Sequence, residues 1–210
     1  MTKTYPQELP LLMETVRLED GKPQHVSFHN ERMNRSRGEL FDANQPLDLA
    51  TAIEEAVAAA REKPPQRSRC RVLYDREVRS VTWEVLGPRH FQSFSLISSE
   101  ISYDHKFLDR TELNGLKEMA PESDDIIIVR QGLITDTTIA NLAFYDGTDW
   151  LTPGSPLLRG TARERYLKEG RIREADIGPG DVQGFKKIAL LNALLDFYVI
   201  DPPMIDTKCD

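Results

Sequence analysis

Four short turn signals divide the chain into paired β-strands, and they restrict it to a fold rich in hairpins. The signals are Asp20-Gly21, residues 75–77, Gln131-Gly132 and Asp146-Gly147, and each stands between apolar or alternating runs. Asp and Gly favour such positions because they tolerate the backbone conformations that reverse a chain within a few residues. We therefore expect strands or extended runs at residues 9–17, 24–28, 70–74, 78–86, 125–130, 133–145 and 172–177, and the chain ends with a long apolar run at residues 188–200.

Helical spacing of apolar residues is found between these strands. It predicts helices at residues 29–40, 48–60, 109–119 and 155–170. The first has few apolar side chains, so we expect it to be partly exposed. The second has Asp48 as its N-cap and must end before Pro64. In the last, Thr161 and Glu164 stand at capping-box spacing.

The composition argues against several kinds of partner. The chain has 27 basic and 34 acidic residues and a net charge of -7, which disfavours a nucleic-acid binder. No apolar run approaches the roughly 18–20 residues that span a bilayer, and residues 1–13 lack the apolar stretch of a secretory signal. The two cysteines, Cys70 and Cys209, indicate neither a disulfide framework nor a metal site. We expect a cytoplasmic protein without nucleic-acid or membrane partners.

Two basic residues are candidates for chemistry. Arg32 follows a predicted strand, and an arginine there can donate two hydrogen bonds to a phosphate. The alternative is a solvated start of a helix. Lys106 stands near Tyr103 and beside Phe107, where a partly desolvated amine can have a pKa low enough to form a Schiff base. The alternative is a surface lysine on a loop.

Two further segments could bind charged groups. Asp136 stands in an apolar, β-branched stretch, where a carboxylate is costly unless it is paired with a cation such as a protonated pyridine nitrogen. The alternative is an edge strand with Asp136 facing water. Gly160 and Thr161 stand at the start of a predicted helix, whose free amides form an anion site. The alternative is an ordinary helix cap.

In combination and order, these segments resemble the class IV aminotransferases. That family includes branched-chain and D-amino-acid aminotransferases and aminodeoxychorismate lyase, which depend on pyridoxal 5′-phosphate (PLP). The likeness extends from about residue 12 to residue 198. Residues 29–33 resemble the family's His-x-x-Arg-Leu pattern, with Met33 in place of leucine, and residues 106–110 resemble its Lys-x-x-x-Arg step.

Three more segments extend the resemblance. Residues 133–144 resemble the motif in which Leu-x-x-Glu precedes small hydroxyl residues, Asn and an apolar strand. Residues 160–163 resemble the Gly-Ile-Thr-Arg turn. Residues 191–195 resemble the Thr-Asn-Ala-Leu-Met segment of aminodeoxychorismate lyases.

The resemblance implies a role for each matching residue. Lys106 would hold the cofactor aldehyde as a Schiff base, Asp136 would pair with the pyridine nitrogen, and Arg32 would hold the phosphate. The other implied cofactor-binding residues are Thr137, Thr138, Thr161, Ala162, Asn192 and Ala193. As neighbours of the lysine, Tyr103 and Arg110 are candidates for binding the substrate carboxylate.

The chain departs from the family pattern at two places. Asp136 is one methylene shorter than the usual glutamate, so its strand must approach the cofactor ring more closely or the contact weakens. Of the Phe-Glu-Thr segment that normally shapes the substrate side, Glu14 and Thr15 are present.

The resemblance implies an α/β (α+β) protein with the two-lobed class IV aminotransferase fold and the cofactor cleft between the lobes. Residues 1–95 would form a trimmed N-terminal α/β lobe and residues 96–210 the PLP-binding lobe, with residues 87–99 as the exit from the first lobe. A homodimer is implied. The expected activity is transfer of an amino group between an amino acid and a keto acid, with a small-molecule substrate. The alternatives are a lyase that eliminates pyruvate to give 4-aminobenzoate, and a non-catalytic protein that retains the fold.

Overall fold

The computed structural model describes residues 9–206, and Cys209 therefore lies outside the described residues. Within this part of the chain are four α-helices and thirteen strands, arranged in two sheets. The helices are α1 (Val26–Phe41), α2 (Leu49–Ala59), α3 (Thr111–Glu118) and α4 (Thr161–Lys168).

The first sheet contains four strands in the order β2-β1-β3-β4. These are β1 (Leu12–Glu19), β2 (Lys22–Pro23), β3 (Arg67–Tyr74) and β4 (Val78–Val85). All of their pairings are antiparallel. Asp20 and Gly21 have φ of 49° and 75°, the positive values that a tight hairpin turn needs, so the predicted hairpin is confirmed.

The predicted strand at residues 24–28 is wrong. His25 has φ of 52° and ends the extended segment, and α1 begins at Val26. Val26 packs against the core of the first sheet from this helix, so its apolar side chain is partly buried without a strand. The apolar residues of a short run do not by themselves distinguish a strand from a helix start.

Helix α1 is present as predicted, but its inner face is more polar than a partly exposed helix suggests. Its buried residues include His29, Arg32, Ser36 and Arg37 as well as Met33. Helix α2 has the predicted N-cap, since the Asp48 side chain accepts a hydrogen bond from the Ala50 amide. The two helices and one face of the sheet form an apolar core: Leu12, Val16, Leu18, Met33, Phe41, Leu49, Ile53, Cys70, Val72 and Tyr74.

The second sheet contains nine strands. The chain order is β5 (Ser93–Ser98), β6 (Asp125–Arg130), β7 (Leu133–Thr137), β8 (Asn141–Tyr145), β9 (Trp150–Pro153), β10 (Arg173–Ala175), β11 (Lys187–Asn192), β12 (Asp196–Ile200) and β13 (Met204–Asp206). Seven strands follow the path β10-β9-β8-β7-β6-β5-β13, and β11 pairs with both β8 and β12. Only the pairs β5–β6, β13–β5 and β10–β9 are parallel among these described strands.

The structure corrects or completes the sequence-based description of three segments in this sheet. Residues 133–145 form two strands rather than one, because the Thr137 hydroxyl accepts from the Ala140 amide and closes a turn between β7 and β8. Residues 188–200 also form two strands, and Asn192 closes the turn between them. Residues 87–99 include β5, whose Phe94 and Leu96 are buried in the second core.

The predicted helix at residues 155–170 begins only at Thr161. Residues before it are held in an irregular path, since the Leu158 amide donates to Asp136. The predicted capping box is also wrong, because Gly160 is the N-cap and has no side chain that could accept a hydrogen bond.

Two further findings concern the chain as a whole. No helix within residues 9–206 is long and apolar enough to cross a bilayer. The division into lobes at residues 1–95 and 96–210 stays a prediction, although the two sheets are formed by strands on either side of residue 90.

The hairpin between β6 and β7 yields a stability prediction. Gln131 and Gly132 have φ of 52° and 78°, and a Cβ at Gly132 would meet open space, so only backbone strain opposes a side chain there. We expect Gly132→Ala to lower the free energy of unfolding by about 1 kcal/mol.

Gly115→Ala is the matched control for that substitution. Gly115 lies inside α3, and a Cβ there also meets open space without a positive φ. Alanine should therefore stabilise α3 by about 0.5–1 kcal/mol. Urea unfolding of both variants measures the difference, and equal changes would contradict the backbone argument.

Candidate active site

A cavity of about 630 Å³ lies between the two sheets. Strands β1 and β3 contribute one wall, and the end of β7, the start of α4 and the turn after β11 contribute the other. Eight of the nine predicted site residues line it: Arg32, Lys106, Asp136, Thr137, Thr138, Thr161, Asn192 and Ala193. Ala162 does not, and it lies instead in a small adjoining pocket that also includes Thr161 and Ala193.

Lys106 lies on a short segment that is attached to β1. Its carbonyl accepts a hydrogen bond from the Met13 amide at 2.9 Å, and the Leu108 amide donates to the Leu11 carbonyl at 2.9 Å. The Tyr103 hydroxyl donates to the Phe107 carbonyl at 2.7 Å, which holds the segment from its other side.

The amine of Lys106 is not that of a surface lysine. Burial against the cavity wall and the nearby charge of Arg32 lower its pKa to about 7. An amine of this kind is neutral in a large fraction of molecules near neutral pH. It can therefore act as a nucleophile or as a base.

Arg32 is held by a carboxylate that comes from β1. Its Nε donates to Glu14 Oε1 at 2.9 Å and its Nη2 to Glu14 Oε2 at 2.5 Å. His29 contributes a third contact, from Nδ1 to Glu14 Oε2 at 2.7 Å. Glu14 therefore binds two of the three guanidinium nitrogens, and Arg32 also lines the cavity.

The charge of Glu14 follows from this environment. Burial by itself would raise its pKa, but the charge of Arg32 and the hydrogen bonds from His29 and Arg32 outweigh burial and lower the pKa to about 2. His29 is buried too, and burial lowers its pKa despite the neighbouring carboxylate. Glu14 is therefore ionised, and its pair with Arg32 fixes the arginine in one orientation.

Asp136 is a second buried carboxylate, but its partners are neutral. Oδ1 accepts from the Asn141 side chain at 2.8 Å and Oδ2 accepts from the Leu158 amide at 2.9 Å. No cation within residues 9–206 forms a salt bridge with it, and Arg163 acts only from a distance. Burial raises its pKa to about 6, because these hydrogen bonds only partly offset the loss of water. The water-facing alternative for Asp136 is thus excluded.

The first turn of α4 lies inside the protein, and its backbone amides have no capping side chain. Its first internal hydrogen bond joins the Glu164 amide to the Gly160 carbonyl. The amides of Thr161, Ala162 and Arg163 precede that bond and have no partner within the helix. A Cβ at Gly160 would clash with Asn141 Oδ1, so glycine is needed where the helix meets β8.

The remaining predicted residues use their side chains within the protein. The Thr138 hydroxyl donates to Asp125 at 2.7 Å. Thr137 closes the turn after β7, and Asn192 Oδ1 accepts from the Leu194 and Leu195 amides at 2.9 and 2.8 Å. These residues shape the cavity wall rather than present free polar groups to it.

Sequence reasoning missed the part played by three kinds of residue. Glu14 was expected on the substrate side, yet it lies on the helix-facing side of β1 with Leu12 and Val16, and this alternation could have revealed it. Asn141, which supports Asp136, is the asparagine of the motif at residues 133–144, but the motif alone assigned it no role. A row of three arginines on β3 also lines the cavity, and alternate spacing along a strand could have revealed that row: Arg67, Arg69 and Arg71.

Comparison with known proteins places this arrangement in a family. A model of the family described as amino-transferase class IV matches residues 11–200 of the chain. The chain belongs to the class IV aminotransferase family. This family consists of PLP-dependent aminotransferases and lyases, so the protein is a member of an enzyme family. The predicted family and fold class are confirmed.

Three proteins illustrate what the chain is similar to over most of its length. A Haemophilus influenzae protein of uncharacterised function is 33% identical over 192 residues, which cover 87% of this chain and 97% of that protein. A crystal structure from Haemophilus somnus 129PT, provisionally named a 4-amino-4-deoxychorismate lyase, is 32% identical with a TM-score of 0.80, covering 88% of this chain and 96% of that one. The PLP-bound form of a hypothetical aminotransferase from Mycobacterium tuberculosis shares the fold at 17% identity and a TM-score of 0.71, covering 96% and 83%.

The lowered pKa of Glu14 predicts how the stability of the protein depends on pH. A carboxylate whose pKa falls from an ordinary 4.5 to about 2 on folding stabilises the protein above pH 4.5 and loses that contribution as the pH falls toward 2. The loss amounts to about 3 kcal/mol by linkage. We expect Glu14→Gln to lower the free energy of unfolding at pH 7 and to remove most of this acid dependence.

Glu19→Gln is the control on the same strand, because Glu19 lies at the exposed end of β1. Urea unfolding at a series of pH values between 2 and 7 measures both variants. If Glu14→Gln kept the acid dependence of the unsubstituted protein, the stabilising role of the buried ion pair would be contradicted.

Proposed function

We propose that this class IV protein is a PLP-dependent aminotransferase in which Lys106 is the catalytic residue. The observation that supports it best is one cavity that contains a lysine of pKa about 7, a buried carboxylate without a cation and an uncapped helix start beside an arginine. The proposed substrates are an amino acid and a keto acid. When bound, PLP supplies an electron sink for negative charge at the substrate Cα.

The phosphate of PLP fits the Arg32 side of the cavity. Glu14 binds two nitrogens of Arg32 and fixes the plane of the guanidinium. The guanidinium therefore needs little reorientation when a phosphate binds. The free amides of Thr161 and Ala162 add hydrogen-bond donors at the positive end of the α4 dipole. Ala193 and Asn192 lie on the turn beside them.

The pyridine nitrogen of PLP fits Asp136. This carboxylate has two neutral donors and a raised pKa, so a cationic partner would lower its pKa and offset the cost of burial. We infer that Asp136 keeps that nitrogen protonated. Thr137 and Thr138 would then hold the backbone that follows Asp136 in its tight turn.

Lys106 is the group that we propose moves the proton. Its neutral amine can accept a proton from the substrate Cα at Nζ and return it, because its pKa near 7 favours transfer in both directions. Its backbone is attached to β1 through Met13, and the residue lines the cavity. Tyr103 and Arg110, which also line the cavity, remain the candidates for the substrate carboxylate.

Borohydride reduction tests the assignment of Lys106. Purified protein mixed with PLP should give a stable adduct on the Lys106 peptide, detected by mass spectrometry. Trapping should rise with pH through a midpoint near 7, because the neutral amine is the nucleophile. Lys106→Ala should abolish the adduct, and Lys22→Ala, which replaces an exposed lysine on β2, should leave it unchanged.

An adduct that forms equally well in Lys106→Ala would contradict the assignment. If the protein instead takes up no PLP and yields no adduct at all, the third interpretation holds, in which the chain retains the fold without catalysis.

A second candidate function is an aminodeoxychorismate lyase that releases pyruvate and 4-aminobenzoate. Two observations favour it: the 32% identical relative that carries this provisional name, and the likeness of residues 191–195 to such lyases.

Product analysis distinguishes the two reactions. We expect an amino acid to be converted to its keto acid only when a second keto acid is present, in equal amounts with the new amino acid. Release of pyruvate from aminodeoxychorismate without any keto-acid acceptor would instead support the lyase. High-performance liquid chromatography of the products measures both.

The homodimer and the cytoplasmic location stay predictions that rest on the family resemblance and the composition. Light scattering of the purified protein tests the first.

A further inference from the structure

Asp125 is a third buried carboxylate, and the proposed function gives it no role. It is the first residue of β6 and is only 2% exposed. Its Oδ1 accepts hydrogen bonds from the Ile126 amide at 2.9 Å and from the Thr138 hydroxyl at 2.7 Å. Its Oδ2 has no hydrogen-bond partner among the described residues. A buried oxygen without a partner costs free energy, so stability alone does not explain a carboxylate at this position.

The hydroxyl that binds Asp125 belongs to the turn between β7 and β8. Strand β6 pairs with β7 as far as Thr137, which lies opposite Ile127, so Thr138 is the first residue beyond this ladder. Strands β7 and β8 share a single pair in register, which fixes the turn only weakly. The bond from Thr138 to Asp125 therefore extends the attachment of the turn to β6 by one residue.

The backbone of Thr138 binds a cation of the cavity. Its carbonyl accepts a hydrogen bond from Arg110 Nη2 at 2.6 Å. Arg110 is the N-cap residue of α3, and its half-buried side chain lines the cavity together with Lys106. No salt bridge joins Arg110 to a carboxylate within residues 9–206, so the Thr138 carbonyl is the group that fixes its guanidinium. Asp125 and Arg110 are thus connected through one residue.

Arg110 influences Lys106 through its charge. Burial lowers the pKa of Lys106 most. The charged side chains that act on it most strongly come from α1, β1, the start of α3 and β7: Arg32, Glu14, Arg110 and Asp136. The two arginines lower the pKa of the lysine, and the two carboxylates raise it. Because the interaction of two charges weakens with distance, the contribution of Arg110 depends on where Thr138 holds it.

Two further titratable groups near Lys106 are neutral at pH 7. Burial raises the pKa of Tyr103, whose hydroxyl donates to the Phe107 carbonyl, and burial lowers the pKa of His29. Neither group therefore replaces the charge of Arg110.

We propose that Asp125 is a positioning residue, which acts through Thr138 to hold Arg110 against the cavity wall near Lys106. Asp125 itself does not line the cavity. The inference rests on the proposed function, in which Lys106 is the reactive amine. A fixed Arg110 disfavours the ammonium form of the lysine, so a larger fraction of the amine is neutral near pH 7. Strand β6 thereby sets the reactivity of a lysine that it does not contact through Asp125.

The pH dependence of acetylation measures the charge state of Lys106 without PLP. Acetic anhydride reacts with the neutral amine, and mass spectrometry of the Lys106 peptide from the full chain gives the midpoint. We expect a midpoint near 7 in the unsubstituted protein. Asp125→Leu has a similar shape but cannot accept a hydrogen bond, so it should raise the midpoint by about one pH unit. Loss of a negative charge would by itself lower the midpoint, so the direction distinguishes positioning from a direct charge effect.

Three other variants separate the steps of the connection. Thr138→Val removes the same bond without changing any charge, and it should also raise the midpoint. Asp125→Asn keeps an acceptor for the Thr138 hydroxyl, so its midpoint should stay near 7. Arg110→Gln removes the cation and should raise the midpoint, and adding Asp125→Leu to it should have no further effect.

Asp124→Asn is the matched control. Asp124 is an exposed neighbour of Asp125, and it accepts hydrogen bonds from the Gln92 and Ser93 amides, which do not line the cavity. Its substitution should leave the midpoint for Lys106 unchanged.

Either of two results would overturn the proposal. One is a midpoint that fails to rise in a folded Asp125→Leu or Thr138→Val variant. The other is an equal rise when Asp125→Leu is made in the Arg110→Gln variant. Circular dichroism checks that each variant is folded, and Thr138→Val supplies the test should Asp125→Leu fail to fold. Failure of the proposed function is seen separately, as the absence of the PLP adduct, because acetylation needs no cofactor.

Discussion

The buried ion pair between Glu14 and Arg32 is the interaction on which the site depends. A buried carboxylate is tolerated only with charged partners and hydrogen bonds, and Glu14 obtains these from Arg32 and His29 of α1. Strand β1 thereby determines where α1 lies. The neighbouring residue Met13 binds the Lys106 carbonyl through its amide. Two consecutive residues of one strand thus position both the arginine and the lysine of the cavity.

Two buried carboxylates acquire opposite properties because their partners differ. Glu14 has a cation and a pKa of about 2, whereas Asp136 has only neutral donors and a pKa of about 6. The first is satisfied within the protein and serves to position a cation. The second retains an unmet preference for a cation, which is what a ligand with a protonated nitrogen would supply. Burial is common to both, so burial alone does not decide the role.

Prediction from the sequence was accurate where the determinants are local. The turns at Asp20-Gly21 and Gln131-Gly132 depend on the φ preferences of the residues themselves, and the strand at Asp125–Arg130 has the bounds that its apolar run predicts. It was wrong where distant contacts decide. Residues 24–28 became part of a helix start, and the segment before Thr161 stayed irregular because the Leu158 amide binds Asp136, 22 positions away.

The sequence by itself determined the hairpins, the helix periodicity and the motifs that resemble class IV enzymes, because each depends on residues that are close together in the chain. Only the tertiary structure decided that Glu14 neutralises Arg32, that Gly160 must lack a side chain beside Asn141, and that three arginines of β3 line the cavity. The physical reason is that charge state and accessibility depend on what surrounds a group in space. Folding brings those surroundings from positions far apart in the chain.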